Sequence, residues 1–387
     1  MIPNKIKKSI LLAEKMCHRL LHKDIVSLTP AKKSEKNVLL SYIRFPFTVK
    51  MDHPFFYSHT NLWECQQIAN TWLNHGFNVD VIDWDNSWFL PEKEYSVFID
   101  IHANMERIAP HLNKKCKKIL HITGAHWGFQ NAAEIKRLSD LETRRGIRLH
   151  PQRQVGPSHG IEYADCATIL GNGFTRGTFA FANKPLYPIP LSTTIQFPYM
   201  EKNFEKIRKN FLWLGSTGMV HKGLDLVLEA FSELPECNLI VCGPVKKEPD
   251  FEKAYFEELY QSPNIKTLGF TDIRSTQFLE TVKNTSALIY PSCSEGQAGS
   301  VITGLHAGLI PVISYESGVD VEDFGIILKN CSIEEIIDSI RTIGQKSGEE
   351  AKQMSQKAWQ YARANHTRDR FAERYETFVQ TIETKKT

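Results

Sequence analysis

Phe211-Leu-Trp-Leu-Gly-Ser-Thr-Gly-Met-Val-His-Lys-Gly223 reads as an apolar strand, a glycine-rich turn holding one lysine, and the opening of a helix. Further along, Pro291-Ser-Cys-Ser-Glu-Gly-Gln-Ala-Gly-Ser-Val-Ile-Thr-Gly-Leu-His-Ala-Gly-Leu-Ile-Pro-Val-Ile313 reads as an acidic loop, a short helix and a new buried strand. Glycines let a backbone turn tightly and approach a ligand closely. The unpaired N–H groups at a helix start favour negative charge, and Lys222 adds a full positive one. Two such turns on one sheet aim two helix N-termini at one anion. The plainer alternatives are an exposed lysine at a helix start and a glutamate that caps its own loop.

Outward from these turns, the second half of the chain alternates short apolar runs with helical segments. The strands are expected at Phe211–Leu214, Leu239–Cys242, Ile265–Leu268, Ala287–Tyr290 and Pro311–Ser314. Helices fall near 223–233, 250–260, 274–283 and 299–307. The first half repeats the plan, with strands at Val38–Ile43, Phe77–Ile82, Val97–Ile101, Lys118–Ile122 and Ala167–Leu170. Thr60 is expected to cap a helix that runs to about His75, with Gly76 as its stop. Short apolar runs separated by helices imply parallel strands covered on both faces. The fold class is therefore α/β, two Rossmann-like doubly wound domains that face each other across a cleft. Ligands of such sheets bind beyond the carboxyl ends of the strands. The expected divisions are a basic leader over 1–36, an amino-terminal domain over 37–200 and a carboxyl-terminal domain over 201–350. Helices over 351–387 are expected to return to the first domain.

Composition narrows the class. At 387 residues, 42% apolar and 24% charged, the chain suits two or three globular domains. The net charge of +3 is uneven: residues 1–50 hold eleven Lys or Arg against three Asp or Glu, a balance of +8 that leaves −5 for the remainder. A basic end on an acidic protein suits an anionic surface, and a solvated leader without a partner is the alternative. Ile6, Ile10, Met16 and Leu20 give that leader an amphipathic helical pattern. No apolar run approaches the ~20 residues that span a bilayer. The eight cysteines (Cys17, Cys65, Cys116, Cys166, Cys237, Cys242, Cys293, Cys331) form no CxxC pair. Reduced, buried thiols are expected rather than disulfides or a zinc site.

Taken together, these residues resemble the GT-B glycosyltransferases, particularly the retaining family 4 or group 1 transferases. Gly215, Lys222 and Gly223 match one family motif. Pro291, Ser292, Glu295, Gly296, Gly308, Pro311 and Val312 match the other. The similarity covers roughly residues 205–345. It implies transfer of a sugar from a nucleotide-diphosphate donor to a glycan or lipid-linked glycan in surface polysaccharide or glycoconjugate synthesis. It further implies retention of configuration and no cofactor or metal. Glu295 and His102 are the implied catalytic residues. Gly215, Ser216, Lys222, Gly296, Gln297, Ala298, Gly299, Ser300 and Thr303 are the implied donor-binding positions. Four of these depart from the family pattern. Ser216 stands where the family has arginine, Thr303 where it has a second glutamate, and Gln297 and Ala298 where it has an aromatic and a glycine. No nucleic-acid partner is expected. The expected location is the cytoplasm, with the leader as a peripheral contact to the inner face of an anionic membrane.

His102 follows Asp100-Ile101, and His121 and His126 are its rivals on the next strand and loop. Phe45, Phe47, Phe55, Phe56, Tyr57 and His59 occupy a long loop suited to an acceptor sugar, a lipid carrier or the leader helix. Asp83-Trp-Asp85 spells the acidic triplet by which another transferase fold binds manganese, but it reads here as a strand-end turn and no metal site is assigned. Two other functions compete: a non-catalytic GT-B binding protein, and an epimerase acting on the nucleotide sugar itself. A nicotinamide dehydrogenase is disfavoured, because no GxGxxG with a downstream acid follows the first strand.

Overall fold

The computed structural model of the chain describes residues 24–50 and 53–384. The leader positions Ile6, Ile10, Met16, Cys17 and Leu20 lie outside the described residues. By packing, the chain divides into two units. The first takes in residues up to His121, Ser158–Thr168, and the segment from Tyr375 onward. The second takes in Ile122–Pro157 and Ile169–Arg374.

In the first unit, β1 (Val26–Leu28), β2 (Asn37–Tyr42), β3 (Asn78–Asp83), β4 (Val97–Asp100), β5 (Lys117–Ile122) and β6 (Cys166–Ile169) stand in the order β1-β3-β2-β4-β5-β6. β2 pairs in parallel with β3 and β4, and β4 with β5. β1, a strand too short to read from the sequence, runs antiparallel along β3. β4 is buried at every residue, which is why its run is apolar without alternation. Helix α1 spans Thr60–Asn74, and its cap is the imidazole of His59, which accepts the N–H of Asn61 at 3.3 Å. Thr60, the expected cap, is the helix's first residue instead. A second helix, α2 (Asn104–Ile108), follows β4.

The second unit contains α3 (Trp127–Arg145), β7 (Leu186–Pro188), β8 (Asn210–Leu214), α4 (Leu224–Ser232), β9 (Asn238–Cys242), β10 (Ile265–Gly269), β11 (Ala287–Tyr290), α5 (Gly299–His306), β12 (Ile310–Ser314), β13 (Ile326–Leu328), α6 (Ile333–Gln345), α7 (Gly348–Asn365) and the start of α8 (Arg368–Thr384). Its sheet is parallel throughout, in the order β10-β9-β8-β11-β12-β13. Phe211, Trp213, Val241, Ile289 and Val312 are among the strand residues of one buried cluster. Ile336, Ile340 and Ile343 of α6 supply another from a single helical face. Burying one such side chain contributes about 1.5–3 kcal/mol, set against about 1–2 kcal/mol for ordering each residue's backbone.

Two segments pack differently from the sequence reading. Helix α3, expected in the first domain, joins the second unit. Leu138 and Leu141 enter its core, Arg144 reaches Asp225 and Glu229 at 3.0 Å each, and Arg145 pairs with Glu258. Burial pushes the Asp225 carboxyl up to about 6, with Arg137 and Arg144 working against that. Residues 351–374, expected to return to the first domain, also group with the second unit; the first unit receives the chain from Tyr375 onward. A helical pattern reveals which face is apolar, but not which sheet will cover it.

Within the first unit, α8 is tied to α1. His75 Nδ1 lies 2.5 Å from Glu383 Oε2, and its Nε2 lies 2.7 Å from Glu376 Oε1. Burial opposes charging the ring, but the two carboxylates outweigh it and raise its pKa above the ordinary 6.5. The charged ring is favoured in the fold, so its stabilisation is complete below the unfolded value and fades as pH climbs through the raised one. His75→Gln is expected to lower Tm most at about pH 5.5 and progressively less toward about pH 9. An equal loss at every pH would show that the pair contributes no charge-dependent stability.

Candidate active site

The strand order places the two turns together. From β8 the chain moves outward through β9 and β10, then returns to lay β11 on the other side of β8. The order reverses between β8 and β11, the point where ligands of doubly wound sheets bind. The register Phe211↔Ala287 and Leu212↔Leu288 brings the turn after β8 alongside the loop after β11. Gly223 makes this approach possible: its φ is +71°, and a Cβ there would stand 2.5 Å from the Pro291 carbonyl oxygen.

Lys222 and Glu295 meet across the junction, Nζ to Oε1 at 2.7 Å, with their side chains 4% and 16% exposed. The Tyr290 hydroxyl donates to the same oxygen at 2.8 Å, and the Ser292 hydroxyl at 3.3 Å. Burial raises the Glu295 pKa, but Lys222, His221 and the Tyr290 hydroxyl outweigh it and hold the carboxyl down at about 2. Glu295 is therefore an anion throughout the physiological range. Buried His221 donates from Nε2 to the Ser294 carbonyl at 2.6 Å, which fixes the loop one residue before the glutamate.

The turn after β8 is less open to an anion than its glycines suggest. The Glu248 carboxylate accepts the N–H of Gly218 and, at 3.0 Å, that of Met219. The N–H groups of Lys222, Gly223 and Leu224 bond the carbonyls of Gly218, Val220 and Met219. What this turn presents is the Lys222 charge rather than a row of free amides. The other helix start differs. The N-cap of α5, Ala298, makes no side-chain cap bond, and the first turn of α5 has no acidic residue.

The remaining expected donor positions divide between solvent and scaffold. Ser216 and Gly299 are exposed, and Gly215 is half-buried. Ser300 lies in the first turn of α5 with its hydroxyl on Tyr290. Gln297 is taken up by the fold, its Oε1 accepting the N–H of Leu191 at 2.7 Å. The Ala298 N–H bonds the Ser317 carbonyl, and the Gly296 carbonyl accepts from the Thr175 hydroxyl at 2.8 Å. Thr303 donates to the Gly299 carbonyl at 2.8 Å, one turn back in its own helix, which leaves its oxygen able to accept but not to donate elsewhere.

His102 belongs to the first unit. The Asp100 carboxylate accepts its backbone N–H at 3.2 Å and that of Met105 at 2.6 Å. Its ring meets Trp84 edge-on at 5.6 Å. Burial lowers its pKa against the pull of Glu106, so it is a neutral imidazole at pH 7. Its rivals have structural duties. His121 is wholly buried on the Thr168 hydroxyl at 2.7 Å, its pKa pushed down to about 4 by burial. His126 caps α3 through the Gly128 N–H. In the acidic triplet Asp83 is spoken for, since it accepts the backbone and side-chain N–H groups of Arg44 at 2.8 and 2.7 Å, while Asp85 is exposed. In the aromatic loop Phe56 is buried, Tyr57 is exposed and Phe45 lies edge-on to His53 at 5.5 Å.

Tyr290, Glu248 and Arg137 escaped the sequence reading. Tyr290 looked like one more apolar strand residue, Glu248 one more surface acid. Arg137 donates to the Pro291 carbonyl at 3.0 Å from α3, a contact that no local pattern reveals. Among the described residues no three His, Cys, Asp or Glu side chains gather in a metal-binding group. The seven described cysteines are buried free thiols. No helix among the described residues is long and apolar enough to cross a membrane.

Residues 200–361 match the sequence profile of the family described as Glycosyl transferases group 1. No curated protein sequence matches the chain. Among solved structures, the chain is similar to sucrose-phosphate synthase from Thermosynechococcus elongatus, with 12% identity, TM-score 0.62 and coverage of 90% of this chain and 100% of that one. It is similar to Anabaena Alr3699/HepE in complex with UDP and glucose, with 12% identity, TM-score 0.54 and coverage of 90% and 99%. It is similar also to S. aureus TarM in complex with Fondaparinux, alpha-GlcNAc-glycerol and UDP, with 14% identity, TM-score 0.51 and coverage of 72% and 54%. The chain thus spans about half the length of TarM. At these identities what is shared is the fold, the two-sheet GT-B arrangement.

Removing one partner of a buried ion pair strands the other charge, at about 3–5 kcal/mol. Lys222→Met is therefore expected to lose about 3–5 kcal/mol of unfolding free energy in urea, and Lys222→Met with Glu295→Gln distinctly less. Additive losses in this double-mutant cycle would mean the two groups do not act as a pair.

Proposed function

On the premise that residues 200–361 form a glycosyl transferases group 1 domain within a GT-B fold, we propose a retaining glycosyltransferase. It moves a sugar from a nucleotide-diphosphate donor to a glycan or lipid-linked glycan, in surface polysaccharide or glycoconjugate synthesis. The observation that carries this reading is the Lys222–Glu295 pair at 2.7 Å, set at the point where the strand order reverses beside the uncapped start of α5.

Diphosphate leaves readily only when its developing charge meets donors already in place, usually the largest single contribution to catalysis. In this reading the N-terminal amides of α5 and the Lys222 ammonium face the phosphates. Glu295, held ionised, accepts hydroxyl groups of the donor sugar. Tyr290 and Ser292 fix the carboxylate so that little reorganisation accompanies reaction. His102, as a neutral imidazole, is the proposed sugar-facing group of the first unit. Thr303 accepts a ribose hydroxyl more weakly than a carboxylate would. Side-chain cations rather than a divalent ion are proposed to carry the phosphate charge. Cytoplasmic location and contact of the basic leader with an anionic membrane belong to the same proposal.

Two observations favour a second reading. Ser216 brings no charge and the Thr303 hydroxyl is committed to its own helix, as in a binding protein that holds a nucleotide sugar without turning it over. A screen of UDP-, GDP-, ADP- and CMP-sugars separates the two. We expect one nucleotide-diphosphate sugar to raise Tm and to be transferred in the presence of EDTA. Glu295→Gln is expected to lower kcat/KM by about 10²–10³-fold. Binding without turnover would select the second reading, and absence of any thermal shift would sink both.

A further inference from the structure

The segment after α3 in the second unit is fixed from below by polar side chains, two of them buried. Glu134, 2% exposed, accepts the N–H of Gln152 at 2.9 Å, that of Arg153 at 2.9 and 3.1 Å, and the side-chain amide of Gln154 at 2.7 Å. Gln130 donates to the Arg153 carbonyl at 2.6 Å. Asn131 accepts the N–H of Val155 and donates to its carbonyl, both at 2.9 Å. The backbone on both sides of Arg153 is pinned, and that sets the direction of its side chain.

That side chain enters the site over the turn following β8. Gly218, at φ +94°, lies directly beneath it: a Cβ there would stand 2.5 Å from Arg153 Cγ and 2.9 Å from Cδ. Beyond the stem, the Arg153 charge reaches Tyr290, where it works against burial and Glu295 on the hydroxyl that donates to Glu295. Arg153 therefore shares one neighbourhood with Lys222, Tyr290 and Glu295.

The cations of this region differ in how they are satisfied. Lys222 has Glu295, Arg144 has Asp225 and Glu229, and Arg145 has Glu258. The Arg153 guanidinium has neither a hydrogen-bond acceptor nor an ion-pair partner among the described residues, and its Nε is buried. The two acids that hold this loop and the turn beneath it do not supply one. The Glu134 oxygens are spent on residues 152–154, and those of Glu248 on the N–H groups of Gly218 and Met219. Arg153 as a whole is half-buried, but a buried N–H without an acceptor is an unfavourable arrangement, and it persists here on a loop built to hold it.

We infer that Arg153 binds the diphosphate of the nucleotide sugar, supplying from a distant part of the chain the cation absent at Ser216. The inference rests on the proposed donor function and adds a residue to it. A guanidinium forks onto two phosphate oxygens at once. With Arg153 on the phosphates, Lys222 is free to keep its carboxylate partner when the donor arrives.

Calorimetry tests this with UDP, GDP and ADP on the full chain, followed by inorganic pyrophosphate and the nucleoside of the tightest binder. Arg153→Gln and Arg153→Ala are expected to weaken the nucleoside diphosphate and pyrophosphate by about 10- to 100-fold. Nucleoside affinity should stay unchanged. Ser216→Arg added to Arg153→Ala should recover most of the loss, and the Tm of ligand-free Arg153→Gln should match or exceed that of the unaltered protein. Unchanged diphosphate affinity in both Arg153 variants overturns the inference while leaving the donor function standing. A lowered ligand-free Tm with equal loss of nucleoside binding also overturns it, as a structural role. If the unaltered protein binds none of the three nucleotides, the donor function falls and the inference with it.

Discussion

The pairing of β8 with β11 is the constraint on which the second unit depends. These strands are far apart in the chain, and two complete strand-helix excursions separate them before β11 settles against β8 in parallel. Because the register is fixed by buried Phe211, Leu212, Ala287 and Leu288, the turn and loop that follow arrive at a set height. The Lys222–Glu295 contact, the seating of Gly223 on Pro291 and the position of α5 all follow from that height. A slip of one residue would send each side chain to the opposite face of the sheet.

Charge is arranged around this junction so that most of it cancels locally. Lys222 is neutralised by Glu295, and the Asp225 carboxylate lies under Arg144. Glu248 and Glu134 spend their negative charge on backbone N–H groups. An anion entering the site meets oriented dipoles and cations already held in place, Lys222 by its carboxylate and Arg153 by the pinned backbone on either side of it. Such preorganisation is more effective than a cluster of mobile charges, which would have to reorient as the reaction proceeds.

Much of this was legible in the chain, for a definite reason. Strands such as Phe211–Leu214 and Ala287–Tyr290 are buried on both faces, so their apolar runs mark them without help from tertiary context. Lys222 and Glu295 stood out because glycines bracket them. What escaped the reading were contacts between segments distant in sequence. Helix α3 has an apolar face, but nothing local says that Arg144 and Arg145 will find their acids in the second unit. Glu248 looks like an ordinary acid after a strand until its carboxylate is seen on the Gly218 N–H. The substitutions at Ser216 and Thr303 were visible, whereas their structural setting was not. Thr303 lies in a helix that takes up its hydroxyl, and Arg153 sits in a loop with no motif around it.

The division of the chain has a consequence for how the protein is made. The first unit includes the residues from Tyr375 onward, with Tyr375 and Val379 fully buried and Glu376 and Glu383 held by His75. A ribosome must therefore finish the whole run 169–374 before the first unit has all of its parts. Until then β2, β3 and β4 wait with part of their covering missing. The wait falls on the segment made earliest, and an uncovered parallel sheet is the kind of surface that chaperones shield during translation.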